Sequence, residues 1–468
     1  MKFLKWTLAG LCFLVLLAVF ILLLSIPIGK WNSTSPITDI GKNLSGYVLQ
    51  SVHVVNIESD SNIKRQHIYV SDGQIVAIES DSLDLREGYE VISEYEGQYV
   101  MPGLVDMHAH VFDRTDLTQY LSYGVTTVRN MMGFPMHLRW KSQLSEGDLI
   151  GSRMITASPT MNQGSNSGPF HKKLSDTAST EVLARKYAEL GYDFFKVYNG
   201  VDADNLDAIQ RIAKEYKMDI AGHPPAVGLD GLLHSDLVSI EHVEELLQFL
   251  DEDMSSESMD VLVNRLSASG KYVVITLSAY HRIYQTVMNG PEYFDQLKRK
   301  DVSPVIRFMG DKQLSRFTKA GPKYTAYTEK KYQAMKQLTL KLEEGGVPLL
   351  FGTDAGPNLT APGRTVLEEI QLLKQAGLTN QQILYSATAE AGECLKTPLG
   401  RLEKGYISDM VVTSVNPLIE IESLDDPLAV FQGGLWLDET YLMRTREEGE
   451  GKQSFYTTLG LFLESLIN

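Results

Sequence analysis

GLVDMHAHV (residues 103–111) places two imidazoles, His108 and His110, two positions apart in an otherwise largely apolar run. In a strand, residues i and i+2 share a face, so Asp106, His108 and His110 point one way and Met107, Ala109 and Val111 the other. A polar face at the end of a buried strand belongs where barrels do their chemistry, at the C-terminal mouth. Outward from Gly103, short apolar runs alternate with segments of helical period. The runs are LVDMHAH, TTVRNMM, RMITAS, DFFKVY, DIAGH, SIEHV, YVVIT and PLLFGTD, with stretches such as STEVLARKYAELG and ADNLDAIQRIAKEYK between them. This alternation predicts an α/β fold, a (β/α)8 TIM barrel over residues 104–398. The largest insertion, residues 280–328, is rich in Arg, Lys, Phe and Tyr and is expected to form a helical lid.

Four further groups fall at the C-terminal ends of these runs: Lys196 in the fourth, His223 in the fifth, His242 in the sixth and Asp354 in the eighth. Side chains from separate strands thus converge on one mouth, and imidazole with carboxylate is a donor set that suits Zn²⁺. Burying an ammonium at Lys196 is costly. Burial lowers a lysine pKa, and the neutral amine can add carbon dioxide to become a carbamate. The competing reading pairs Lys196 with Asp106 or Asp193. The metal reading expects two divalent ions about 3.5–4 Å apart. His108, His110 and Asp354 hold one, His223 and His242 hold the other, and carboxylated Lys196 bridges them. The ions ionise a shared water for attack on a carbonyl. Asp354 is the catalytic residue, accepting a proton and passing it to the leaving nitrogen. His137, His234 and His281 read as structural or surface residues. The chain has no H-E-x-x-H, G-x-x-x-x-G-K-[ST] or G-x-S-x-G motif, so a helix-borne zinc protease site, a P-loop and a nucleophile elbow are excluded.

The flanks read differently. Residues 47–103 contain short β-rich runs with an SDGQ turn, and residues 399–440 return to strands after the barrel. Residues 441–468 are a C-terminal extension that reads as a short amphipathic helix. At the N-terminus, Lys2 and Lys5 precede an uncharged run at residues 6–28, long enough to cross a hydrocarbon core of about 30 Å. Residues 1–29 are therefore expected to be a transmembrane signal anchor and 30–46 a linker. The charge bias puts the N-terminus in the cytoplasm and the catalytic domain outside, periplasmic or extracellular. The 468 residues carry a net charge of −16, which argues against a nucleic-acid partner. Cys12 and Cys394 are the two cysteines, too few for a disulfide framework or a cysteine zinc site.

The stretches VMPGLVDMHAH, GVTTVRNMMG, DFFKVY, AGHPPAVGL, SIEH, GVPLLFGTDAG and LGRLEKGYISDMVV, in that order, resemble the amidohydrolase superfamily, within it the imidazolonepropionase-like and Xaa-Pro dipeptidase-like group. The resemblance spans roughly residues 49–432. It implies a composite β-sandwich built from both flanks, and it carries His108, His110, Lys196, His223, His242 and Asp354 over as ligands of a binuclear site. Two departures stand out. Asn130 occupies a position where relatives carry aspartate, and the loop after the third strand is PTMNQGSNSGPFHKK. The leading expectation is a membrane-anchored hydrolase of C–N bonds in a dipeptide or N-acyl amino acid. His171, Tyr198, Tyr280 and Arg364 would contact substrate, and Arg364 with residues 171–173 would offer partners for a carboxylate. Oligomerisation stays open. One alternative is a mononuclear cyclic-amidine or imidazolone hydrolase or deaminase, against which Lys196 argues. The other is a non-catalytic membrane-tethered binding protein on the same barrel.

Overall fold

Each of the eight apolar runs contains a parallel strand: β1 (Leu104–Ala109), β2 (Val125–Asn130), β3 (Arg153–Thr156), β4 (Phe194–Val197), β5 (Asp219–Gly222), β6 (Leu237–Glu241), β7 (Tyr272–Val274) and β8 (Leu349–Leu350). β1 to β3 pair in one parallel set and β4 to β8 in another. Backbone hydrogen bonds join the two sets into a ring. Ser158 N donates to Phe194 O at 2.8 Å and Asp193 N to Thr156 O at 3.0 Å, tying β3 to β4. Met107 N donates to Phe351 O at 2.9 Å and Asp354 N to His108 O at 2.7 Å, tying β8 to β1. Every residue of β1, β2 and β4 is buried, as expected when helices cover a parallel sheet. The helices form for local reasons. In Ala203–Tyr216, Leu206, Ile209, Ile212 and Ala213 recur on one buried face, and the Asp202 carboxylate accepts from Asn205 N at the N-terminus.

The computed structural model describes residues 42–467 except 60–63, 166, 169, 298 and 299, together with residues 10, 12–17, 19, 20, 24 and 27. Strands from both flanks of the barrel form one sheet, in which Tyr99–Pro102 pairs antiparallel with Met410–Thr413 and parallel with Gly46–Val54. Its own apolar core joins Tyr47 and Phe431, whose rings stack at 5.4 Å. Lys42–Asn43 already pairs with Leu435–Asp438, so the sheet begins inside the stretch expected to be linker. Residues 30–41 of that linker lie outside the described residues.

The insertion folds as helices Leu277–Gln296, Pro304–Leu314 and the first part of Pro322–Glu344. The C-terminal extension forms two helices rather than one, Glu439–Gly449 and Phe455–Ile467.

The expected membrane anchor needs correction. Crossing a bilayer takes about 20 consecutive apolar residues in one helix. Among the described residues, no helix is long and apolar enough to do so. Part of residues 6–28 lies outside the described residues. The transmembrane helix, the membrane as partner, the single-pass placement and the tethered binding-protein alternative are set aside on that finding.

Candidate metal centre

The expected ligands do gather. His108 lies within β1 and His110 just past its end; Lys196 lies within β4. His223 and His242 directly follow β5 and β6, and Asp354 follows β8 by four residues. All six line one cavity of about 300 Å³ at the C-terminal mouth, with His171, Tyr198 and Tyr280. Non-glycine residues at three strand ends have positive φ: His242 at 69°, Thr276 at 56° and Asp354 at 51°. Such backbone costs on the order of 1–3 kcal/mol each and persists where the surroundings over-determine it.

Side chains behind the histidines fix which nitrogen faces the cavity. His108 donates from Nδ1 to Glu241 Oε2 at 2.7 Å, which leaves Nε2 toward Asp354 Oδ1, 3.5 Å away. His242 Nδ1 is hydrogen-bonded to Thr276 Oγ1 at 2.7 Å, and His223 Nδ1 donates to Glu245 Oε1 at 3.1 Å. Holding one ring nitrogen so that the other can ligate is how outer partners orient metal-binding histidines. Glu241 is itself held. Arg129 Nη2 donates to Glu241 Oε1 at 2.7 Å and Ser239 Oγ to the same oxygen at 2.6 Å. Asp106 braces the other side, accepting from Thr353 Oγ1 at 2.6 Å and from His108 N at 3.1 Å.

The ligating atoms of His108, His242 and Asp354 lie within 4.8 Å of one another, the one such group of His, Cys, Asp and Glu side chains among the described residues. This corrects the binuclear expectation to a single triad. The physical reason lies in the remaining donors. His110 Nε2 bonds Asp354 Oδ1 at 2.9 Å, and His223 stands outside the triad.

The electrostatics suit a cation. Burial, with the charges of His242 and Lys196, pushes the His108 imidazole well below its ordinary range. Burial and His223 push His242 down to about 3. Both are therefore neutral, the form that binds metal. Burial pushes the Asp354 carboxyl up, but the His110 hydrogen bond and the charges of His110, His242 and Lys196 outweigh it and hold the group low. Lys196 is pushed down to about 8, mainly by burial, and its Nζ has no hydrogen-bond partner. The pairing alternatives for Lys196 fail, because Asp193 pairs with Lys141 and Asp106 is engaged by Thr353 and His108. A buried amine and a buried His110 Nδ1, both unpartnered, fit a mouth that awaits another group.

Arg364 is not brought to this mouth. It pairs with Asp301 and lines separate cavities. Lys172 donates to the Ser465 carbonyl at 2.6 Å, and Lys173 is exposed. His137 is structural, donating from Nε2 to Val111 O at 2.8 Å and accepting at Nδ1 from Phe134 N at 3.1 Å. Asn130 has a physical reason to be an amide. Its Nδ2 donates to Met132 O at 3.0 Å and to Thr156 Oγ1 at 2.9 Å, while Oδ1 accepts from Val111 N. A carboxylate would have no proton for those acceptors. Sequence reasoning missed Glu241, Arg129 and Thr276. Alternation carried a usable signal, since Ser239 and Glu241 share one face of β6, and Thr127 and Arg129 one face of β2.

A profile of the amidohydrolase family matches residues 99–437, and the chain belongs to that family. Ochratoxinase of Aspergillus niger is 34% identical over 107 residues, 21% of this chain and 22% of that relative's length. Among solved structures, bottromycin amidohydrolase is 24% identical with a TM-score of 0.70, covering 86% of this chain and 91% of that one. A Xaa-Pro dipeptidase with bound methionine is 20% identical with a TM-score of 0.66, covering 84% and 100%. At these identities the structural likeness shows the fold. Family membership and the ligand triad together give the chain an amidohydrolase-family barrel whose mouth carries a candidate metal site.

Proposed function

We propose that this amidohydrolase-family chain hydrolyses an amide-type bond of a small substrate, a dipeptide or N-acyl amino acid, with one Zn²⁺ held by His108, His242 and Asp354. The observation that carries the reading is the convergence of those three donors at the barrel mouth, with two imidazoles locked from behind. Bound there, a divalent ion lowers the pKa of water and polarises a carbonyl. The chain's own groups do the rest. Asp354 takes a proton at its carboxylate and returns it to the leaving nitrogen, as general base and then acid. His110, hydrogen-bonded to Asp354 Oδ1 at 2.9 Å, holds that carboxylate in place. His171, Tyr198 and Tyr280 face the same cavity and orient the substrate. Lys196 contributes as a carbamate: its nitrogen lone pair bonds the carbon of CO₂, an N–H proton leaves, and an anionic oxygen replaces an unpartnered amine.

The cavity of about 300 Å³ fits a substrate of dipeptide size. The dipeptidase activity of the Xaa-Pro dipeptidase that shares the fold supports an amide-type bond. A single triad favours a second reading, a cyclic-amidine or imidazolone hydrolase or deaminase working with one ion, over any two-ion amide hydrolase. Product analysis separates them: ammonia release marks the deaminase, and a new carboxylate with a free amine marks the amide hydrolase. Metal analysis tests the core of the proposal. Purified protein should hold about one ion per chain, chelation should abolish hydrolysis, and one equivalent of Zn²⁺ should restore it. Restoration only at two equivalents refutes the single-ion reading. With ¹³C-bicarbonate, a carbamate resonance that vanishes in Lys196→Met assigns the modification.

A further inference from the structure

The helix Phe455–Ile467 lies beyond the residues matched by the family, yet it reaches the barrel mouth. Phe462 is 4% exposed and stacks on Phe170, with ring centroids 4.0 Å apart and planes 14° apart. The same ring contacts Phe112 at 5.7 Å and Phe134 at 5.6 Å. Phe112 in turn lies parallel to the His110 ring, 6.0 Å away. Phe170 directly precedes His171, and Lys172, directly after it, donates from Nζ to Ser465 O at 2.6 Å. His171 is thus flanked on both sides by residues that this helix grips. Glu464 secures the helix through two bonds from Arg139, at 3.0 and 2.7 Å.

The grip has a chemical consequence. Gly168 N donates to His171 Nδ1 at 3.1 Å, so that nitrogen carries no proton and the imidazole is the Nε2–H tautomer. Burial, with the Lys196 charge, pushes His171 down to about 4, so it stays neutral. A neutral ring with its donor nitrogen fixed, on the wall of the mouth, is suited to donate a hydrogen bond to a substrate oxygen.

We propose that the C-terminal helix braces the reaction site, with Phe462 as the positioning residue that holds His171 in its tautomer and place. The catalytic consequence rests on the mouth being the reaction site. The brace itself is measurable without substrate, so the two can fail separately.

The test uses the full chain and two substrate-free readouts. One is amide hydrogen exchange at Lys172 and Leu174, whose N–H groups donate to Thr160 O and Asn162 O, both at 2.8 Å. The other is the ¹⁵N signature of the His171 ring, which reports the tautomer. Phe462→Ala should speed exchange at Lys172 and Leu174 about tenfold or more, while amides of β4 to β6 change less than about twofold. It should also mix the His171 tautomers and leave Co²⁺ affinity within about twofold. Arg139→Glu and Glu464→Arg cover the case in which Phe462→Ala does not fold. Each alone should loosen the same two amides, and the double exchange should restore them. Unchanged exchange at Lys172 and Leu174 in all single variants overturns the proposal. So does a uniform rise across the barrel strands, or a His171 ring signature that stays single while those amides loosen.

Discussion

Replacing Glu241 by Gln removes one charge from the centre of the buried support and nothing else of comparable size. Glu241 is fully buried and accepts three hydrogen bonds, from Arg129 at 2.7 Å, Ser239 at 2.6 Å and His108 at 2.7 Å. Arg129 is only 4% exposed. Its other bonds go to the Met107 carbonyl and the Ser239 hydroxyl, neither of which carries charge. Breaking a buried pair from one side leaves an uncompensated charge and costs about 3–5 kcal/mol. Gln keeps a carbonyl oxygen, so the lower end, about 3 kcal/mol, is expected. The same change weakens the anchor on His108 Nδ1, and losing an outer carboxylate typically lowers metal affinity about 10–100-fold. That corresponds to about 1.4–2.8 kcal/mol. Urea unfolding of metal-free protein reads the first effect, and Zn²⁺ competition titration the second. Arg129→Met with Glu241→Gln should be less destabilised than Glu241→Gln alone, because the stranded guanidinium is gone. Metal affinity and stability both at the wild-type level in Glu241→Gln would refute the account of the support. A double variant as unstable as the sum of the two singles would refute the stranded-charge argument.

Asp354→Asn should lower turnover about 100-fold or more while saturating Zn²⁺ still loads the mouth; retained turnover removes Asp354 from proton transfer. His137 should shape the acid limb of stability. Burial pushes its folded value to about 3, below an unfolded value of 6.5, so the unfolded chain takes up the proton first as pH falls. The stability this contributes is whole above about 6.5 and is lost on the way down to about 3. The deficit of His137→Gln relative to wild type should therefore shrink by about 3 kcal/mol between pH 7 and pH 4, read by urea unfolding; a constant deficit refutes the reasoning. Gly352→Ala would place a Cβ 2.6 Å from Val274 Cγ1 and 2.9 Å from His108 Cβ. We expect a loss of about 1–3 kcal/mol together with weaker metal binding, and an unchanged melting temperature counts against it.

Much of the site was legible because strand alternation and strand order are written locally. His108 and His110 share a face by spacing alone, and each remaining candidate lies in or at the end of its own apolar run. What misled was equally specific. Arg364 reads as a free cation in sequence, but Asp301 neutralises it away from the mouth. The count of six candidate ligands suggested two ions, whereas how closely their atoms approach decides how many share one. The apolar length of residues 6–28 suggested a span, and no described helix is both long and apolar enough to make one.

The amino-acid order alone determined the alternation of strands and helices and which side chains stand at strand ends, because both follow from the period of neighbouring residues along one chain. Only the tertiary structure decided that Glu241 and Thr276 aim the imidazoles, and that His108, His242 and Asp354 form the triad. It likewise decided that Phe462 stacks on Phe170, although most of the barrel's sequence lies between them. Those relations join residues far apart in sequence, and no local pattern encodes which distant side chain fills the space behind a given ring.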